Sequence, residues 1–199
     1  MTKTSAQIIK PPEKTPSLRV YRDLGGTIKA ETLWEFSKLS SSSALVSGTL
    51  RMSIIEIQEA MTITGMKWWQ TTQGVYTASD YNGVALATYA AGVLTIVASS
   101  TNDGNIWKAT ATTLPSKAFS STYAATPGIY YALTLYNTSA QTTAPALGAN
   151  QAGSASIMGL DFTNSAKLNA TLAAQLTLPA TVTLSATTTN SALIVLGLY

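Results

Sequence analysis

From about Leu50 onward the chain alternates apolar and polar side chains with a period of two. The cleanest run is Leu176, Leu178, Ala180, Val182, Leu184 and Ala186, interleaved with Thr177, Pro179, Thr181, Thr183 and Ser185. It predicts a half-buried strand, with Pro179 marking an edge or a bulge. Ile129, Tyr131, Leu133 and Leu135 alternate in the same way with Tyr130, Ala132, Thr134 and Tyr136. Further strands are expected over Leu50–Ile57, Met61–Gln70, Gly83–Tyr89, Val93–Ala98, Asn105–Ala109 and Ala192–Tyr199. Turn signals separate them at Asp80-Tyr81-Asn82-Gly83, Ala91-Gly92, Asn102-Asp103-Gly104-Asn105 and Pro127-Gly128. Many short strands with no convincing helix between them predict a mainly β protein, a jelly-roll-like antiparallel β-sandwich. The small, polar stretch Asn137–Ser154 is expected to be a long surface loop.

The first 44 residues follow other rules. Pro11, Pro12 and Pro16 break the segment up to Ser17, which predicts an extended arm without a core of its own. After the turn at Asp23–Thr27, Ile28, Leu33, Phe36 and Leu39 can share one helical face, with Thr27 as N-cap and Glu35 and Lys38 outward. One short helix carrying Leu33, Trp34 and Phe36 cannot bury itself, so it is expected to pack on the body or against its copies. The serine run Ser40–Ser43 then predicts a flexible joint. The division expected is an anchor arm and short helix over 1–44 and a β-sandwich over 45–199.

Charge sharpens that division. Fifteen of the twenty-one charged residues lie in the first 67 positions, and the net charge of +3 arises entirely there. Asp80, Asp103, Lys108, Lys117, Asp161 and Lys167 are all that follow. Charged residues make up 11% of the chain, against about 25% in ordinary soluble domains, so neutral hydroxyls and amides must solvate the body. The basic residues are strung along an arm rather than striped over a folded face, which argues against nucleic acid. No stretch approaches the roughly 20 apolar residues of a membrane span, and the first residues lack a signal-peptide pattern. A role outside the cell then implies release by lysis or as part of a particle.

The chain has no cysteine and no histidine. That excludes disulfides, thiolate sites, Ser-His-Asp chemistry and the commonest zinc ligand. Asp80 and Asp103 sit in turn motifs, where a carboxylate caps nearby amides. Calcium held by Asp80, Asn82, Asp103 and Asn105 is chemically possible but matches no known loop spacing. There is no phosphate-cradling loop or metal cluster, so no catalytic residue and no cofactor is assigned. The aromatics offer more. Trp68 and Trp69 must point to opposite faces of a strand, and Tyr131 faces with the aliphatics, leaving Tyr130 and Tyr136 on the other side. Trp68, Trp69, Tyr130 and Tyr136 can fill a subunit interface, pack on a second sheet, or stack on sugars.

The body also resembles the knob domains of fibre and spike proteins of tailed bacteriophages. The elements that carry the likeness are MTITGMKWWQ, DYNGVAL, NDGNIWKA, YAATPGIYY, YNTSAQTTAP and LPATVTLSA, in that order over roughly residues 48–199. The resemblance implies a homotrimeric β-sandwich on the virion, attached to capsid or tail proteins by its N-terminal segment and displayed toward a host-surface glycan. Lys10, Pro11, Pro12, Arg19 and Arg22 would then serve particle anchoring, and Leu33, Trp34 and Phe36 an oligomer neck. A chain this short leaves no room for a long shaft, so a short head fibre, spike or decoration subunit fits best. Two rivals stand beside it: a monomeric carbohydrate-binding or capsid-decoration module, and a degrading enzyme using Asp80, Asp103 or Asp161.

Overall fold

A computed structural model describes residues 28–32, 40–151, 168–190 and 192–199. The first strands are β1 (Ala30–Glu31), β2 (Ser41–Ala44), β3 (Thr49–Ile57), β4 (Met61–Trp68), β5 (Gln70–Thr72) and β6 (Val75–Ala78). Next come β7 (Gly83–Ala90), β8 (Val93–Ser99), β9 (Ser116–Ala125), β10 (Gly128–Tyr136), β11 (Thr138–Thr143) and β12 (Ala146–Gln151). The last are β13 (Asn169–Leu172), β14 (Thr181–Thr183), β15 (Thr188–Thr189), β16 (Ala192–Ile194) and β17 (Leu196–Leu198).

A central sheet of seven strands runs β14-β8-β7-β10-β3-β13-β15. A second sheet runs β1-β17-β4-β9, a third β16-β12-β2 with β5 also on β12, and β6 pairs with β11 as a ribbon. The pairings are antiparallel throughout. The protein is therefore mainly β, an antiparallel sandwich.

The central sheet is apolar on both faces, and this decides where the aromatics go. On β10, Tyr130, Ala132 and Tyr136 join a core with Ile55, Ile57 and Leu86 of their own sheet and Ile63, Met66, Trp68, Leu196 and Leu198 of the second. Tyr131, Leu133 and Leu135 turn the other way, into a core with Leu50, Met52, Val182 and Leu184. A strand buried on both faces loses the contrast that marks a solvent side.

The segment predicted as the best strand is mostly a cover for that second core. Only Thr181–Thr183 of Leu176–Ala186 is strand, paired with β8, and Leu184–Ala186 forms a 3-10 turn. Pro179 has no N–H to give a ladder, while the Thr187 hydroxyl closes the turn by donating to Leu184 O at 2.7 Å. The alternation holds only in part: Leu178, Val182 and Leu184 reach the core while Thr181 and Thr183 face solvent, but Leu176, Ala180 and Ala186 are exposed.

Other expectations are corrected at the junctions. Ala30–Glu31 is strand, not the first turn of a helix, because it completes the edge of β17 with Lys29 N donating to Leu198 O at 2.7 Å. Leu33, Trp34 and Phe36 fall outside the described residues, as do Lys10, Pro11, Pro12, Arg19 and Arg22. Ser41–Ser43 is no joint: it forms β2 on β12. Both Ile28–Thr32 and Ser40–Ala44 are thus woven into the sandwich rather than lying before it. The expected loop after Asn137 holds β11 and β12, the first of them polar because it lies on an exposed ribbon. Asn105–Ala109 is not strand: residues 104–107 form a turn, from which Trp107 is fully buried with Nε1 donating to Leu135 O at 3.1 Å.

Gly65 shows how tightly the second sheet closes. A Cβ there would lie 2.5 Å from both Lys117 O and the Tyr199 hydroxyl. Gly65→Ala should cost about 1–3 kcal/mol, the usual range for overpacking. Urea unfolding of the variant checks it; an unchanged midpoint would mean that the Tyr199 ring and the β9 backbone at Lys117 both give way without cost.

Candidate functional site

Three of the four aromatics expected to meet a ligand are buried. Trp68 is 1% exposed, Tyr130 4% and Tyr136 0%. Trp68 packs on Trp107 with ring centroids 5.0 Å apart and donates from Nε1 to Gln70 Oε1 at 2.9 Å. Gln70 is itself buried, and its amide donates to Thr72 O at 2.6 Å. Tyr136 meets Tyr76 edge-on at 4.9 Å and donates to Gln141 Oε1 at 2.7 Å. The Tyr130 hydroxyl donates to Thr126 O at 3.0 Å and accepts from Thr126 N, fastening the turn before its own strand. Each polar tip is thus satisfied internally, as buried Tyr and Trp require.

Of the three roles open to Trp68, Tyr130 and Tyr136, the structure shows packing on a second sheet; their assignment to a ligand or subunit interface is corrected, because they are buried between sheets. Trp69 is half-buried, and its carbonyl accepts from Gly148 N at 2.8 Å. Burial also pushes the Tyr76 hydroxyl above the ordinary tyrosine range, while Lys108 Nζ sits 4.8 Å from its ring centroid.

Of the two turn carboxylates, that of Asp103 is occupied by the fold. Asp103 accepts from Lys117 Nζ at 2.7 Å and from Asn105 N at 2.9 Å. Those bonds, Lys117 first, hold its carboxyl below the usual aspartate range. A depressed folded-state value contributes stability at neutral pH that is lost as acid protonates the group. Asp80 takes a left-handed backbone, φ 46°, and its carbonyl accepts from Asn102 Nδ2 at 3.0 Å. Asn82 Oδ1 accepts from Asn137 N at 2.9 Å. Of the four side chains imagined around calcium, Asp103 and Asn82 thus spend oxygens on other partners, and no group of three or more His, Cys, Asp or Glu among the described residues could hold a metal ion. Asp161 lies outside the described residues.

Two polar features escaped the sequence-based expectations. One is the buried pair Asn82 and Asn137, which stitches the turn before β7 to the end of β10. The signal was present as Tyr-Asn-Gly and Tyr-Asn-Thr, each an Asn beside a strand end. The other is Arg51, a cation inside β3 that is 6% exposed. Nothing in its alternating neighbourhood distinguishes it from an outward-facing residue.

The outer strands carry a different chemistry. On β9 the stretch Ser120–Thr122 is exposed, and on β11 Ser139–Thr142 is exposed. These surfaces are neutral hydroxyls, amides and methyls. No protein-family model matches the chain, and no curated protein matches it. No helix among the described residues is long and apolar enough to cross a membrane.

Proposed function

We propose that this protein is a non-enzymatic structural subunit of a bacteriophage virion, a short head fibre or spike. Its N-terminal arm anchors it to the particle, and a homotrimeric knob is displayed for host attachment. The observation that carries this reading is the segregation of charge: the whole net charge of +3 arises in residues 1–27, ahead of the first strand, and the sandwich is nearly charge-free beyond Lys67. Such a division suits an end that docks and an end that is presented.

The second sheet supports assembly with copies of the same chain. Its terminal strand β9 is ten residues long and exposes Ser120, Ser121 and Thr122 in succession. Lys117 is its one charge, so this edge has little of the charge or proline that normally discourages pairing between chains. The monomeric sugar-binding alternative retains only Trp69 of its four aromatics as a partly exposed residue. The degrading-enzyme alternative has Asp103 tied to Lys117.

Light scattering tests the assembly on two chains, full length and residues 28–199, the second chosen to keep β1 and β2. A trimer is expected for both, at three times the 20.8 kDa chain mass. Only the full-length chain should then co-sediment with virions of the phage that encodes it. A monomer in both cases, with no retention on particles, would overturn the proposal.

A further inference from the structure

Arg51 stands directly opposite Thr134 of β10 on one side and Thr171 of β13 on the other. It reaches from the central sheet to the third, where Nη1 donates to Ser43 Oγ at 2.7 Å and Nη2 to Ala44 O at 2.5 Å. Those two bonds use two of the five donors on a guanidinium. Its Nε and the Thr134 hydroxyl oxygen are both buried without a partner. No carboxylate lies within ion-pair distance of Arg51 among the described residues.

This is an unstable arrangement for bare protein. Desolvation lowers the Arg51 pKa from 12.5 to about 10, which still leaves it charged at neutral pH. A buried cation requires a counter-charge, and a buried donor requires an acceptor. Directly opposed residues of an antiparallel pair have Cβ atoms only about 5 Å apart, so Nε–H and the Thr134 hydroxyl serve the same space. The Ser43 hydroxyl accepts from Nη1 and keeps its own proton to donate.

We propose that Arg51, Thr134 and Ser43 bind one small monovalent anion of halide size between the central and third sheets. The groups left free there, Nε–H and the Ser43 and Thr134 hydroxyls, can all donate beside a single positive charge, so one negative charge balances the site where a phosphate dianion would not. The anion would complete the polar link between β2 and β3 and so help seat β2 on the sandwich.

The test uses the full-length protein. Thermal unfolding is followed as sodium chloride or bromide replaces sodium gluconate at fixed ionic strength, for the native chain and for Thr134→Val. The midpoint should stay flat at low halide and then rise with the logarithm of its concentration in the native chain, as expected for a ligand bound by the folded state. Losing one hydroxyl donor should raise the concentration at which that rise begins at least about tenfold. Crystals grown in bromide should show an anomalous peak touching Arg51 Nε and Thr134 Oγ1. Equal midpoints in gluconate and halide, a dependence unchanged by Thr134→Val, or a carboxylate found against Nε would each overturn the proposal.

Discussion

Removing Ala192–Tyr199 is expected to leave a chain that does not fold. This segment crosses from the third sheet, where β16 pairs with β12, to the second, where β17 lies between β1 and β4. Leu193, Ile194, Val195, Leu196 and Leu198 are all 4% exposed or less. Burial of such a side chain contributes about 1.5–3 kcal/mol, so five of them rival the roughly 5–15 kcal/mol of a whole domain.

The backbone adds to the loss. Thr32 N donates to Leu196 O at 2.9 Å, Val195 N to Gly148 O at 3.0 Å and Thr64 N to Tyr199 O at 2.6 Å. Without the segment, β1 has no partner strand and one edge of β4 is opened. Far-UV circular dichroism and amide chemical-shift dispersion read the outcome directly. A milder variant, Leu196→Asp, places a carboxylate in the core and should show the same loss of cooperative unfolding. A truncated chain that still melts in one sharp transition would show that the two sheets hold together without this stitch.

That dependence was only partly visible in the sequence. The run Ala-Leu-Ile-Val-Leu-Gly-Leu-Tyr reads as a buried strand, but its division at Val195 between two sheets depends on where β4 and β12 lie. Hairpins were legible where a turn dictates them. Ala91 and Gly92, both at positive φ, join β7 to β8, and Pro127-Gly128 leads into β10. Strands whose existence depends on a distant partner were not. Ser41–Ser43 has weak strand propensity and becomes β2 because β12 offers it an edge, with Arg51 reaching over its hydroxyl.

What covers the aromatic face is illegible in the sequence for a related reason. Alternation separates two faces of a strand, but it does not say that the second face is also covered. Tyr130 and Tyr136 were placed on the correct side of β10 relative to Tyr131. What could not be read was the sheet of β4, β9 and β17 lying over that side. A polar residue in such a strand, as at Arg51 or Thr134, is equally silent. Its meaning depends on the distance to the next layer, and no local pattern records that distance.

Asn82→Asp should convert a fold whose stability is flat between about pH 5 and 8 into one that weakens steadily above the acid range. Asn82 is fully buried; its amide nitrogen donates to Ser79 O at 3.0 Å and Asn137 O at 2.9 Å. An aspartate would direct an oxygen at those two carbonyls with no water to compensate. Burial and repulsion both favour the neutral acid, so the folded-state pKa rises above the ordinary value of about 3.9. Between the unfolded and folded values the native state then binds more protons than the unfolded chain. Stability is therefore greatest in acid and falls by about 1.4 kcal/mol per pH unit until the folded-state pKa is passed. The native protein is a clean reference, because with no histidine no side chain of ordinary pKa changes charge between about pH 5 and 8. Urea midpoints measured from about pH 4 to 8 should run flat for the native chain from pH 5 upward and slope downward for the variant. Parallel curves would mean that the Asn82 site admits water, and that the bonds to Ser79 and Asn137 are not what closes this end of the sandwich.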